Sequence, residues 1–308
     1  MHRKACRSKH QHWVPQFYLR YFATPESRDT KKPQVWIFSK DLQDGDEQLT
    51  SVRNVCGKRY LYSPRQLDGS RSWALDDKLS DVEAFLGLIW PALATDFVDL
   101  ADEHIRKALS LFVATTHMRH PDIRDAVEET HSKLIEFVEA GRTHAGGTPI
   151  VEADQTTEKS HEIDASSWQT YKTLGKDGHD QEFVELVQSE VGRMAQHLLT
   201  KRWSVLLSER DVFVTSDKPV VITHLARVFY GYGSKEAIIM FPLSPSRLLV
   251  LDDLHNEPAN QYYPLKESNI GAINLTTWNS SRRFLITGRP IPEVLHELNA
   301  LSENSNDE

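Results

Sequence analysis

The hydrophobic period of the chain changes twice along its length, and this change restricts the fold more than any other sequence feature. Between residues 75 and 140 the apolar side chains recur every three or four positions, as in Leu75, Leu79 and Leu86, which is the period of amphipathic α-helices. Before and after the helical region, apolar runs are short and separated by turn residues, which is typical of strands. The sequence predicts an α+β fold in which a helical bundle packs with a small mixed or antiparallel sheet.

Three stretches follow from this pattern. Residues 1–74 hold a basic arm, an aromatic motif and short strands, and residues 75–202 hold the bundle with a flexible insertion at 141–181, which is rich in Gly, Thr, Ser and Asp. Residues 203–302 are sheet-rich and end in helices. A chain of 308 residues can bury one large core, so we expect one integrated domain.

Charge is distributed unevenly along the chain. Its formal net charge is −8, although residues 1–40 carry nine basic and only two acidic side chains. A basic region of this kind can attract nucleic acid or a phosphorylated small molecule, which makes both candidate partners. The alternative is a solvated basic arm, and the acidic remainder argues against nonspecific coating of DNA.

Other function classes are excluded by composition. No stretch of about 18 apolar residues occurs, so the sequence predicts no membrane-spanning helix. The basic start leads into no apolar run, which argues against a secretory signal. Cys6 and Cys56 are too few for a disulfide framework or a four-thiolate zinc site, and we therefore expect a cytoplasmic protein.

The N-terminal motif contains three candidate site residues. His10 and His12 are two positions apart, so in extended backbone both rings project from one side and could seat a metal ion or a phosphate. Packing or capping is the structural alternative for these histidines. Arg20 lies among aromatic residues, where it would act either as an anion clamp or as a guanidinium stacked on rings.

Three further candidates lie in the later stretches. Glu83 flanks the apolar stripe of the first long helix, so a half-buried carboxylate there needs an arginine, backbone amides or a metal ion as partner. Arg119 ends the second helix, where the helix dipole favours it, unless it turns inward to pair with Glu83. Asp217 follows an apolar run and would either cap a turn or serve as a metal ligand or general base.

Five sequence blocks carry a family resemblance. They are His10-x-His12-Trp13-Val14-Pro15-Gln16-Phe17-Tyr18-Leu19-Arg20-x-Phe22, Leu79-Ser80-x-x-Glu83, Arg119-x-Pro121, Thr215-Ser216-Asp217-x-Pro219 and Phe241-Pro242-Leu243-Ser244. With these blocks in order, the sequence resembles a bacterial family known as domain of unknown function 4238. Trp13 stands where that family more often has tyrosine, and Lys218 where asparagine is usual. The resemblance implies no established activity, but it implies that the following residues belong together: His10, His12, Arg20, Glu83, Arg119 and Asp217.

A shared site of these six side chains between bundle and sheet would suit phosphodiester chemistry. His10, His12 and Asp217 would hold a divalent metal ion that activates water, and Arg119 or Arg20 would neutralise the scissile phosphate. This predicts a metal-dependent nuclease or phosphoesterase, such as a prokaryotic toxin or phage-defence effector. The alternatives are a noncatalytic binding or regulatory protein with a buried salt-bridge network, and an anion or nucleotide sensor that uses the arginines without metal.

Overall fold

A computed structural model of the protein describes residues 8–40, 47–66, 68–140, 150–152, 160–162 and 165–304. The helices are α1 (Gln16–Leu19), α2 (Ala74–Thr95), α3 (Glu103–Met118), α4 (Pro121–Ala140), α5 (Ala165–Lys172), α6 (Lys176–Thr200), α7 (Ile270–Ser280) and α8 (Ile291–Asn304). The strands are β1 (His10–His12), β2 (Gln34–Ser39), β3 (Gln48–Ser51), β4 (Gly57–Arg59), β5 (Ile150–Glu152), β6 (Ser160–Glu162), β7 (Arg202–Leu207), β8 (Thr215–Ser216), β9 (Val221–Thr223), β10 (Ile238–Ser244), β11 (Arg247–Asp252), β12 (Gln261–Pro264) and β13 (Phe284–Thr287). The predicted α+β class is confirmed.

The long helices follow the apolar stripes of the sequence. In α2, the stripe residues Leu75, Leu79 and Leu86 are all buried. Helix α3 begins after Asp102, whose carboxylate accepts the backbone N–H groups of His104 and Ile105 at 2.7 and 3.2 Å and so satisfies two donors of the first turn. Helix α3 packs mainly against α6, and α4 also packs against α6. No helix among the described residues is long and apolar enough to cross a membrane.

The described residues form two larger sheets. The five-stranded sheet has the order β12-β7-β11-β10-β9 and is antiparallel except for the parallel pair β12 and β7. The four-stranded sheet has the order β3-β2-β13-β8 and is antiparallel throughout. This second sheet combines two strands from the first 74 residues with two strands that follow residue 202, so it joins the two ends of the sequence.

An aromatic cluster connects the N-terminal motif with the bundle and the five-stranded sheet. The rings of Tyr18 and Phe241 are 5.2 Å apart, and those of Trp90 and Phe112 are 5.0 Å apart. Phe17 lies 5.5 Å from Trp90 and 5.6 Å from Phe112. Since such rings bury large areas and attract one another edge to face, the cluster fixes α1 against α2, α3 and β10.

The structure corrects several sequence-based boundaries. Helix α5 and the start of α6 occupy part of the predicted flexible insertion 141–181. Other parts of this insertion lie outside the described residues, namely 141–149, 153–159, 163 and 164. Residues 1–7 of the basic arm also lie outside them. Strand β4 ends at Arg59, because Tyr60 adopts a positive φ of 57° and begins a turn. The apolar residues 212–214 lie directly before the short strand β8 and are not themselves a strand.

Candidate functional site

Arg119 lies at the C-terminal end of α3 and turns inward. Its side chain is 1% exposed, and its Nη1 atom donates to Oε1 of Glu83 at 2.6 Å. Its Nε atom donates to the carbonyl oxygen of Trp13 at 2.8 Å. A buried guanidinium requires such a charged partner, because an unpaired charge in the interior is very costly. Of the two orientations that the sequence left open, the structure therefore has the one in which Arg119 pairs with Glu83.

Asp217 is 1% exposed and is bound by backbone amides. Its two carboxylate oxygens accept the N–H groups of Arg282 and Arg283, each at 2.9 Å. Burial raises the pKa of Asp217, while the charge of His120 and these amide hydrogen bonds act in the opposite direction. The carboxylate thus ties the turn after β8 to the start of β13.

Trp13 connects these two charged residues. Its carbonyl oxygen accepts from Arg119, and its indole Nε1 donates to the carbonyl oxygen of Asp217 at 2.9 Å. Its ring packs edge to face against the ring of His120, with centroids 6.3 Å apart. We call Trp13, Glu83, Arg119 and Asp217 the Arg119 cluster. The structure brings Glu83, Arg119 and Asp217 together as a network whose members bind one another or the backbone.

The two N-terminal histidines lie on β1. The Nε2 atom of His12 donates to the carbonyl oxygen of Arg53 at 3.0 Å, and its Nδ1 atom accepts from Gln16 at 3.3 Å. Burial lowers the pKa of His12, and the hydrogen bond to Arg53 and the charge of Glu83 only partly oppose this effect. The exposed ring of His10 packs edge to face on His12, with centroids 4.9 Å apart. The charge of Glu83 raises the pKa of His12 and the charge of Arg119 lowers it, so both charges act on this histidine.

The metal site predicted on His10, His12 and Asp217 is not assembled. The oxygens of Asp217 are bound to two backbone amides, and Nε2 of His12 carries the proton that it donates to Arg53. Across the part of the chain that the structure describes, no group of three or more His, Cys, Asp or Glu side chains could hold a metal ion. These three side chains do not fit a shared ion as ligands.

Arg20 lies apart from the other predicted site residues. Its Nε and Nη2 atoms donate to the carbonyl oxygens of Arg28 and Thr30, both at 2.8 Å. These bonds close the loop between α1 and β2. The side chain therefore supports local backbone, which differs from both roles that the sequence suggested.

A polar cavity lies beside Lys218, where four elements meet. It has a volume of about 560 Å³. It lies between the end of α3, the start of α4, the turn between β8 and β9, and the end of α7, and residues 230–232 line one side. The side chains that matter for its chemistry are those of His117, Asp122, Lys218, Tyr230 and Tyr232. We call this space the His117 cavity.

Asp122 holds two cations at the His117 cavity. Its Oδ2 atom accepts from Nζ of Lys218 at 2.8 Å, and its Oδ1 atom accepts from Nη1 of Arg282 at 2.9 Å. Burial by itself would raise the pKa of Asp122, but its interactions with His120 and Lys218 outweigh burial and lower the pKa well below its usual range. Asp122 therefore stays ionised and fixes the ammonium group of Lys218 at the cavity wall.

His117 is the unusual histidine of the cavity. Burial, helped by the charge of Lys218, lowers its pKa to about 4, so the imidazole is unprotonated at neutral pH. Its Nδ1 atom is buried and has no hydrogen-bond partner. Most buried polar atoms do have partners, so this ring nitrogen is an exception among the described residues. Perturbed pKa values in a cleft are also typical of functional sites.

The family described as "Protein of unknown function (DUF4238)" matches residues 10–290. The chain belongs to this family. The matched range contains the Arg119 cluster and the His117 cavity of this DUF4238 protein. No curated protein and no solved structure matches the chain.

Sequence reasoning on this DUF4238 protein missed the His117 cavity as a site. His117 is not among the six candidate residues, and Lys218 is noted only as a departure from asparagine. Asp122 was absent from the candidates. A usable signal was present, since His117 and Asp122 lie at the facing ends of two consecutive helices, but the contribution of the distant turn at Lys218 depends on tertiary structure.

Proposed function

We propose that this protein binds a small phosphorylated molecule in the His117 cavity. The observation that carries the proposal is the ammonium group of Lys218, held on the cavity wall by Asp122 at 2.8 Å. An ammonium group has three N–H donors, and the bond to Asp122 uses one of them, which leaves donors for a phosphate. Lysine binds phosphate as a point charge that does not demand a fixed geometry.

His117 supplies a complementary acceptor. His117 lines the same cavity, and its unprotonated imidazole can accept a hydrogen bond from a hydroxyl group of the ligand, such as a sugar hydroxyl. The volume of about 560 Å³ lies within the ~300–1,000 Å³ that small-molecule sites commonly have. A cytoplasmic location, where phosphorylated metabolites are abundant, accords with this role.

The Arg119 cluster supports the noncatalytic form of the proposal. Glu83 binds Arg119, and Asp217 binds backbone amides, so these charged groups join the bundle to the sheets and form a structural network. Buried ion pairs of this kind can specify a structure while adding little net stability. The protein would then act as a sensor that binds its ligand without transforming it.

Calorimetric titration with ribose 5-phosphate and with inorganic phosphate tests this function. We expect Lys218→Ala to weaken binding at least about tenfold, since it removes a charge-assisted hydrogen bond. Lys218→Asn, which introduces the residue usual in the family, should weaken binding similarly. Lys133→Ala is the matched control, because Lys133 pairs with Glu129 on the exposed face of α4. Equal binding by all four proteins, or none by the wild type, contradicts the proposal.

Hydrolysis of a phosphodiester in the same cavity is the second candidate. An unprotonated imidazole beside an ammonium group could accept a proton from a nucleophile while Lys218 neutralises the phosphate. This would keep the nuclease or phosphoesterase activity without relying on the predicted metal ligands. It would also give a toxin or phage-defence role a chemical basis.

Cleavage assays separate the two candidates. Single-stranded and double-stranded DNA and RNA are incubated with the protein in EDTA, or with magnesium, manganese or zinc. Cleavage in EDTA that His117→Gln abolishes supports the metal-free hydrolase. Cleavage that requires metal and disappears in His12→Ala and Asp217→Ala supports the metal-dependent nuclease. Absence of cleavage in every condition leaves the binding function as the better proposal.

A further inference from the structure

The loop of residues 224–235 forms one rim of the His117 cavity and has a fixed base. The Nδ1 atom of His224 accepts the backbone N–H groups of Ala226 and Arg227 at 3.0 and 3.1 Å. Its Nε2 atom donates to the carbonyl oxygen of Lys235 at 3.0 Å. Both ring nitrogens are therefore bound, and the imidazole joins the two ends of the loop.

This loop places two tyrosines on the cavity and carries further exposed apolar side chains. Tyr230 and Tyr232 line the cavity, while Leu225 and Phe229 are 91% and 93% exposed. The ring of Tyr232 lies edge to face on His197, with centroids 5.6 Å apart, which holds it at the rim. Large apolar side chains concentrated on one short exposed segment indicate an interaction site.

We infer that the ligand of the His117 cavity is a nucleoside monophosphate, with its phosphate at Lys218 and its base against Tyr230 and Tyr232. This inference rests on the proposed function and names its ligand class. A nucleoside monophosphate joins an anion to a flat aromatic base, which matches a cavity with an ammonium group on one wall and tyrosines on another. Aromatic side chains bind bases of any sequence because every base has a π-face.

The charges around the cavity favour a mononucleotide over a nucleic acid. Single-stranded nucleic acid is normally bound along a groove lined by several cations. Here both Lys218 and Arg282 are bound to Asp122, and Arg282 also pairs with Asp125 at 2.7 Å. These two carboxylates would repel further phosphates of a polynucleotide.

The test compares AMP, UMP and ribose 5-phosphate by calorimetric titration. Base stacking should make the wild type bind the two nucleotides between about 5-fold and 150-fold more tightly than ribose 5-phosphate. We expect Tyr230→Ala and Tyr232→Ala to lower this preference, because each should weaken nucleotide binding more than ribose 5-phosphate binding. Tyr230→Phe should keep the preference, because it retains the ring. Tyr263→Ala is the control, since Tyr263 lies on β12 and its hydroxyl donates to Pro258.

The other possible results of these titrations each contradict a stated part of the inference. Equal affinity for nucleotides and ribose 5-phosphate overturns the inference and leaves the proposed phosphate site intact. Failure of both ligands to bind overturns the proposed function as well. Tighter binding of a twelve-residue oligonucleotide than of AMP overturns the inference in favour of nucleic acid. Thermal unfolding followed by circular dichroism shows that each variant is folded. If both folded variants, Tyr230→Ala and Tyr232→Ala, keep the preference for nucleotides over ribose 5-phosphate, the assignment of the base site is overturned.

Discussion

The charged residues of this protein divide into those that bind one another and those that face a cavity. Arg119 binds Glu83 and the Trp13 carbonyl oxygen, although its Nη2 atom is buried without a partner. Removing Glu83 alone would leave a guanidinium buried without its charged partner, which costs far more than the net energy of an exposed ion pair. The neutral His117 and the ammonium group of Lys218, in contrast, have capacity for a ligand.

The lowered pKa of His117 predicts a pH dependence of stability. An ordinary histidine titrates near pH 6.5, whereas His117 titrates at about pH 4 when folded, so the unfolded chain binds a proton between these values that the folded protein does not. The free energy of unfolding should therefore fall as the pH falls from 6.5 to 4. The contribution of His117 should then level off, at a loss of at most about 3 kcal/mol.

Urea unfolding of the wild type and of His117→Gln at pH 7, 5.5 and 4.5 measures this contribution. His12, whose pKa is also lowered, contributes to both proteins and cancels in the comparison. The variant should lose less stability than the wild type over this range, because glutamine does not titrate. Parallel losses in the two proteins would show that burial of His117 does not oppose its protonation.

The ribbon formed by β1 and β4 shows how a glycine accommodates two histidines. A Cβ atom at Gly57 would lie 2.2 Å from Nε2 of His10 and 3.0 Å from Nε2 of His12. In the ribbon His12 lies opposite Gly57, so any larger residue there must displace a ring. The rings therefore occupy the space that a side chain would otherwise fill.

We predict that Gly57→Ala destabilises the protein by about 1 kcal/mol, mainly through its clash with His10. In a His10→Ala background the same substitution should cost less, and a double-mutant cycle by urea unfolding measures this coupling. Gly192→Ala is the control: a Cβ there meets nothing within 4 Å, so the change should stabilise α6 by roughly 0.5–1 kcal/mol. Equal costs for Gly57→Ala in both backgrounds would rule out the clash.

The elements that the sequence predicted are those with a local signal. The stripe of α2 depends on residues within a few turns of one another, and its members Leu75, Leu79 and Leu86 are buried. Strand β12 is a short parallel edge beside β7, a pairing that depends on tertiary contacts. Likewise, the sequence indicated that Glu83 needs a partner and that Arg119 could supply it, but the amides that bind Asp217 come from residues 65 positions and more away.

The protein as a whole is connected by contacts that cross all three sequence stretches. In the four-stranded sheet, Phe38 of β2 pairs with Leu285 of β13. In the aromatic cluster, the indole Nε1 atom of Trp90 donates to the carbonyl oxygen of Leu243 at 3.2 Å. The Arg119 cluster likewise takes one residue from the N-terminal motif, two from the bundle and one from the sheet-rich part. A stretch taken alone would therefore expose apolar and charged surfaces that are buried in the whole chain.

This arrangement predicts that residues 75–202 do not fold independently. Without Tyr18 and Phe241, the rings of Trp90 and Phe112 lose partners at distances of 5.7–6.2 Å. Arg119 also loses the carbonyl oxygen of Trp13. The isolated stretch should keep helical circular dichroism but bind hydrophobic dyes and melt without a cooperative transition. For the full chain, tryptophan fluorescence and circular dichroism should report unfolding at the same midpoint. A sharp, dye-free transition of the isolated stretch would mean that the bundle is a domain of its own, since its helices would then bury enough surface among themselves.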